Sequence, residues 1–152
     1  MNYWLMKSEP STFSIDHLAQ CKSQTTAWDG VRNYQARNML RDQMQVNDLA
    51  FFYHSSCAQP GIVGMMTVVR SGYVDNSAFD VNDHHYDPKS TPEKPLWYRV
   101  DVKLKQKFAE VISLEQLRHN PALKNMLILR KGNRLSITPL TAAEWQAVLT
   151  MI

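Results

Sequence analysis

Two apolar runs joined by a tight turn constrain the fold of this chain more than any other feature of its sequence. Residues 49–54 (LAFFYH) and 62–69 (IVGMMTVV) carry no acidic, lysine or arginine side chain. Pro60-Gly61 lies between them and is a strong turn signal. Short, nearly continuous apolar runs are typical of strands that are buried on both faces. We therefore predict two central strands of a sheet that is covered on each side.

The other predicted strands are less buried. In residues 98–108, apolar side chains alternate with charged ones, which is the pattern of a strand with one face in the core and one in water. Residues 2–7 (NYWLMK) and 134–137 (RLSI) complete the predicted strands. We interpret residues 21–27 and 71–96 as loops, and the second is long enough to indicate a functional or mobile role.

Capping signals predict four short helices. Ser14 can cap a helix over residues 15–20, and residues 33–41 have one apolar side. Two capping boxes, Ser113 with Gln116 and Thr141 with Glu144, begin the other two helices. Because strands and helices do not alternate regularly, a doubly wound parallel sheet is disfavoured. The sequence predicts the α+β class, with a small, mostly antiparallel sheet or barrel and flanking helices.

Length and composition point to one domain over residues 1–152, which we expect in the cytoplasm, or in a nucleus if the source has one. No apolar run approaches the ~20 residues of a membrane span, and the N-terminus lacks a signal-peptide core. The cysteines, Cys21 and Cys57, are too few for a disulfide scaffold or a four-cysteine metal site. Residues 99–134 carry a net charge of +6, against −3 for the rest. This excess could attract a polyanion, although a solvated strand and helix face is the simpler explanation of the charge alone.

Catalytic and metal sites have little support. His54 and Cys57 are three residues apart, but no third group is spaced to orient them. His84 and His85, between Asp83 and Asp87, could ligate a metal, yet neighbouring side chains on an extended loop should point apart. No glycine motif for phosphates is present, and no carboxylate pair stands out. We expect no metal, no cofactor and no catalytic residue.

A binding site has better support, centred on residues 28–40 (WDGVRNYQARNML). Aromatic rings near predicted turns or element ends could stack on nucleobases; these are Trp4, Trp28, Tyr34 and Tyr53. Neighbouring polar groups could read a base edge, namely Ser8, Asn33, His54, Ser55 and Ser136. Lys7, Arg32 and Arg134 could contact phosphates. On composition alone, core packing and turn capping remain the simpler explanation of these residues.

Seven segments in order resemble the EVE domain family: YWLMKSEP (3–10), WDGVRNYQARN (28–38), FFYHS (51–55), PGIVG (60–64), YDPKS (86–90), WYRVDV (97–102) and KGNRLSITP (131–139). The resemblance implies a PUA-like, mixed-strand pseudobarrel with flanking short helices. It also implies kinship with YTH domains and a role in reading modified bases of DNA or RNA. The pocket that it implies comprises Lys7, Ser8, Trp28, Gly30, Val31, Arg32, Asn33, Tyr34, Tyr53, His54, Ser55, Arg134, Leu135 and Ser136.

The leading hypothesis is a non-catalytic reader that binds one modified nucleobase of DNA or RNA, without a cofactor or a membrane. The base would be flipped out and stacked on Trp28, with Tyr34 or Tyr53 as a further ring. Its edge would be bonded by Ser8, Asn33 or Ser55, with basic residues on the backbone. A methyl group would occupy a niche near Val31 or Leu135. Two alternatives stay open. One is an enzyme acting on a modified nucleotide with His54 as general base, and the other is a protein-interaction module using residues 75–93.

Overall fold

A computed structural model describes all residues, 1–152, and contains one six-stranded mixed sheet. The strands are β1 (Tyr3–Ser8), β2 (Thr25–Trp28), β3 (Leu49–His54), β4 (Gly61–Val74), β5 (Tyr98–Ser113) and β6 (Ile137–Leu140). Their order across the sheet is β2-β5-β4-β3-β1-β6. The β1–β3 pair is parallel, and the other four pairs are antiparallel. The edge strands β2 and β6 therefore have one neighbour each.

Four short α-helices flank the sheet. They are α1 (Ile15–Gln20), α2 (Tyr34–Asn38), α3 (Leu114–Arg118) and α4 (Ala142–Leu149), and α2 continues into a π-helical turn over Met39–Gln43. The predicted caps at Ser14, Ser113 and Thr141 are confirmed, since each hydroxyl accepts the backbone N–H three residues later. No helix has both the length and the apolarity needed to cross a bilayer.

The apolar run of β3 is explained by two cores, one on each face of the sheet. Ala50 and Phe52 face an inner core, which is covered by α1 and α2. Phe51 and Tyr53 face an outer core, which is covered by α3 and α4. The inner core contains buried side chains from every one of the six strands. The sheet therefore curls around the inner core as a pseudobarrel, and the predicted α+β class is confirmed.

Several boundaries differ from the sequence prediction, and β5 for example runs to Ser113 and not 108. Residues 25–28 form the edge strand β2 and not a loop, since their backbone pairs with β5 even though the segment is mostly polar. Strand β4 runs on to Val74, well into the segment predicted as a loop. The last strand begins at Ile137 and not at 134, because Asn133 Oδ1 accepts the Leu135 N–H (3.1 Å) and bends the chain there.

The N-terminal strand is fastened by the buried carboxylate of Asp48, which is 2% exposed. It accepts hydrogen bonds from Asn2 N (3.0 Å), Trp4 Nε1 (3.0 Å) and Gln45 N (2.9 Å). These bonds join β1 to the turn that precedes β3, beside the only parallel pair in the sheet.

Replacing Asp48 by alanine should lower the free energy of unfolding by about 2–4 kcal/mol, because it leaves three N–H donors without an acceptor. Urea titration measures this. The control is Asp42→Ala, which removes an exposed carboxylate paired only with its neighbour Arg41 and should change stability by less than about 1 kcal/mol. Equal effects of the two substitutions would contradict the assignment.

Candidate nucleic-acid interface

A cleft of about 510 Å³ opens where the edge strand β2 approaches the end of β1; we call it the edge cleft. It is lined by Lys7, Ser8, Thr12, Phe13, Thr26, Ala27, Trp28, Asp29, Gly30, Val31, Arg32, His84, His85 and Ser136. One wall is β2 with the turn after it, and the opposite side includes the end of β1 and Ser136, which precedes the other edge strand. The cleft thus lies at the open seam of the pseudobarrel.

Two aromatic rings of unequal exposure form the floor of the edge cleft. Trp28 is only 7% exposed and packs edge-on against Phe52, with ring centroids 5.3 Å apart. Phe13 is half-buried and stacks on Phe52 at 6.3 Å. Most of the Trp28 ring therefore belongs to the inner core, and Phe13 offers more surface to a ligand. Sequence reasoning missed Phe13 because no motif spacing singles it out.

The turn after Trp28 is held by the fully buried carboxylate of Asp75. It accepts hydrogen bonds from Gly30 N (2.9 Å), Arg32 Nη1 (3.0 Å), Ser77 N (3.0 Å) and Ser77 Oγ (2.6 Å). Burial alone would raise the pKa of Asp75, but the bonds from Ser77, Gly30 and Arg32 together hold that pKa below its ordinary value. The carboxylate is therefore ionised and saturated with donors.

Arg32 lines the cleft, but its guanidinium is hydrogen-bonded to other groups of the protein. Nε and Nη2 donate to the His85 carbonyl oxygen (3.1 and 2.8 Å), and Nη1 donates to Asp75 and to the Val31 carbonyl. The guanidinium also lies 5.3 Å from the ring centroid of Trp97. These bonds give Arg32 a structural role, because they fasten the loop of residues 75–97 to the β2 wall.

His84 and His85 do not point apart as expected. Their ring centroids lie 3.8 Å apart, because Asp83 Oδ1 accepts the His85 N–H (2.8 Å) and turns the loop. The side chains of Asp83, His84 and His85 place one ligand atom each within 4.8 Å of one another, which is the grouping in the chain most able to hold a divalent cation. Both imidazoles lie at the cleft, so they contribute to its lining.

The remaining polar lining groups differ in availability. Lys7 forms no ion pair within the chain, and burial lowers its pKa. Ser8 Oγ donates to the Phe13 carbonyl oxygen (2.6 Å), which leaves its lone pairs free to accept. The pKa of Asp29 is raised by burial and by the nearby charge of Asp75, although its side chain is 40% exposed.

The end of β3 is not brought into the cleft. Tyr53 is 3% exposed in the outer core, because side chains alternate along a strand and Phe52 takes the inner side. His54 Nε2 accepts the Ile15 N–H (3.1 Å) at the start of α1. Ser55 approaches only through its backbone, whose N–H donates to the Ser8 carbonyl (3.0 Å).

Four further predicted site residues also lie outside the lining. Asn33 caps α2 by accepting the Ala36 N–H (3.0 Å). Tyr34 is exposed and stacks on Trp97 at 4.9 Å. Arg134 is exposed, and Leu135 packs against the inner core. The predicted residues that do meet at the cleft are Lys7, Ser8, Trp28, Gly30, Val31, Arg32 and Ser136.

The family model of the EVE domain matches residues 2–151. The chain belongs to the EVE domain family. Rat thymocyte nuclear protein 1 is 46% identical over 99% of this chain and 73% of its own length. The crystal structure of a protein from Pseudomonas putida superposes with a TM-score of 0.94 at 46% identity, covering 98% of both chains. The human THYN1 protein, crystallised in complex with 5-methylcytosine-containing DNA, superposes with a TM-score of 0.92 at 43% identity, covering 99% of this chain and 97% of that one.

Gly30→Ala should destabilise this EVE domain more than Gly132→Ala. Both glycines have positive φ, +75° and +79°, so both substitutions carry backbone strain of about 1–2 kcal/mol. A Cβ at Gly30 would lie 2.3 Å from His85 Nε2, whereas one at Gly132 meets nothing within 4 Å. Turning the partly exposed His85 ring away from its rotamer should add about 0.5–1.5 kcal/mol. Denaturant unfolding of both variants measures the difference, and equal losses would show that His85 does not pack on Gly30.

His54 should make the protein less stable in mild acid. Burial lowers its pKa below the ordinary 6.5, so the unfolded chain binds a proton before the folded one does. The contribution of neutral His54 to the free energy of unfolding is thus fully present above about pH 6.5. It is lost as the pH falls towards the lowered pKa of His54. His54→Gln keeps an acceptor for Ile15 N–H and removes the titration. Unfolding free energies from pH 7.5 to 5 should fall less steeply for this variant, and parallel curves would contradict the assignment.

Proposed function

We propose that this EVE domain protein is a non-catalytic reader that holds one modified base of a DNA or RNA strand in the edge cleft. The observation that carries the proposal is the meeting of aromatic floor, polar edge groups and an unpaired lysine in one cleft. The DNA complex of the 43% identical human THYN1 protein supports it. A base reaches such a pocket only when it is flipped out of its stack or is already single-stranded.

The size and lining of the cleft suit one base. Its volume of about 510 Å³ falls within the range of small-molecule sites, about 300–1,000 Å³. We assign stacking to Phe13 with the exposed part of Trp28, and a backbone phosphate contact to Lys7. Ser8 and Ser136 lie where hydroxyl groups can bond the edge of the base.

Val31 is the apolar lining group that we assign to a base methyl group. It is 7% exposed beside the aromatic floor. Burying one methyl is worth only about 0.8 kcal/mol, which is roughly a fourfold preference. The methyl contact therefore adds to recognition, and the shape of the cleft and its polar groups must supply most of the specificity.

The alternative functions have less support. As a general base His54 would need a free ring nitrogen near a substrate, but its Nε2 accepts the Ile15 N–H and it lies outside the cleft lining. An acidic interaction loop would need free carboxylates. Asp75 is buried in its own network, and Asp87 Oδ2 accepts the Trp97 Nε1–H (2.7 Å). Asp80 and Glu93 stay exposed, but nothing beyond their charge marks them as a docking site, whereas His84 and His85 of the same loop line the edge cleft.

Phe13→Ala should weaken binding of single-stranded DNA and RNA 12-mers that carry one central 5-methylcytosine. Loss of a stacking ring is worth roughly 1–3 kcal/mol, so Kd should rise about 5- to 150-fold. The control is Tyr34→Ala, which removes an exposed ring outside the cleft and should leave Kd within about twofold. Fluorescence anisotropy measures both, and circular dichroism confirms folding. If only Tyr34→Ala weakened binding, the binding site would lie outside the edge cleft and the proposal would be wrong.

A further inference from the structure

A methyl niche cannot by itself identify 5-methylcytosine in DNA. Thymine carries a methyl group at the same ring position, and the two bases differ at C4, where cytosine has an amino donor and thymine a carbonyl acceptor. Thymine is also far more abundant in DNA. If the edge cleft reads a modified cytosine, as proposed above, one of its groups must distinguish an amino group from a carbonyl oxygen.

Asp29 is the only acidic residue among the fourteen that line the cleft. An ionised carboxylate accepts hydrogen bonds and cannot donate them. The serine and threonine hydroxyls of the lining can do both, and the imidazoles of His84 and His85 can do either, according to their tautomer. Lys7 and Arg32 can only donate. Asp29 is therefore the lining side chain that can favour an amino group and reject a carbonyl oxygen.

The position of Asp29 leaves its carboxylate available. It follows Trp28 of the floor and precedes Gly30, whose N–H is bonded to the buried Asp75, so its backbone is fixed on both sides. The nearest cationic atom is Arg99 Nη1 at 3.9 Å, beyond hydrogen-bonding distance. The carboxylates of Asp75 and Asp87, in contrast, are occupied by donors of the chain.

We propose that the Asp29 carboxylate is the specificity-determining group of the edge cleft. It accepts a hydrogen bond from the exocyclic amino group of a bound cytosine or 5-methylcytosine. It repels the O4 oxygen that thymine and uracil present at the same place. The inference rests on the reader function and adds to it the residue that selects the base.

The charged surroundings of Asp29 give the selection a pH dependence. Burial raises the pKa of Asp29 most, Asp75 and Asp83 raise it further, and His85 and Arg99 lower it. A protonated Asp29 carries an O–H that can donate to thymine O4. Preference for 5-methylcytosine should therefore decline as the pH falls through the raised pKa of Asp29.

The test compares single-stranded 12-mers that differ only in a central 5-methylcytosine or thymine. The wild-type protein should prefer 5-methylcytosine about 5- to 150-fold at pH 7.5, the range of a good base-edge contact. Asp29→Asn offers an amide N–H to O4, so the ratio of the two Kd values should fall to about one or invert while binding is retained. The control Asp42→Asn removes the same charge from an exposed site outside the cleft and should keep the wild-type ratio.

The outcomes separate the two proposals. If Asp29→Asn keeps the preference, the role of Asp29 is wrong and the reader function stands. If the wild type binds both oligonucleotides equally, the role of Asp29 is wrong and the cleft binds a base without reading its C4 group. If the wild type binds neither, both proposals are overturned. The ratios measured from pH 7.5 to 5 provide a second readout. The wild-type ratio should decline as the pH falls, whereas the ratio for Asp29→Asn, which still contains His85, should change less; identical profiles would overturn the assignment.

Discussion

The buried carboxylate of Asp75 is the interaction on which the architecture of the cleft depends. It lies directly after the long strand β4 and accepts N–H groups from Gly30 and Arg32 beyond the edge strand β2. A buried charge is tolerated only when its lone pairs are satisfied, and four donors achieve this here. Since Arg32 in turn donates to the His85 carbonyl oxygen, one charge joins β4, the turn after β2 and the loop of residues 75–97 into a single wall.

The open seam of the sheet explains why a cleft exists at this place. A closed barrel would pair its edges and fill its interior with side chains. Here β2 and β6 are not paired with each other, so the approach of the turn after β2 to the end of β1 leaves a gap floored by the inner core. The exposed backbone of a long edge would invite aggregation. The edge strands have only four residues each, which limits that risk while the seam stays accessible.

Local chemistry made much of this fold predictable, and tertiary geometry decided the rest. Capping by Ser14, Ser113 and Thr141 needs only neighbours in the chain, so these helix starts could be read directly. The run LAFFYH identified a doubly buried strand but, having no alternation, could not say which core receives Tyr53. The motifs contain both Arg32 and Lys7. They did not reveal that Arg32 is paired with Asp75 while Lys7 is unpaired. Phe13 and the His84–His85 pair join the cleft only through contacts distant in sequence.

The distribution of charges around the cleft bears on how a nucleic acid would be held. The basic segment of residues 99–134 includes Lys103, Lys105 and Lys107 on β5, and Lys107 is paired with Asp16 on α1. None of the basic residues of that segment lines the cleft, and of the two lining cations only Lys7 lacks an internal partner. Affinity from phosphate contacts scales with the number of charges neutralised. The phosphate backbone of the nucleic acid therefore adds little affinity at the cleft itself. Its discrimination must come from enclosing one base, where a single unoccupied carboxylate can have a decisive effect.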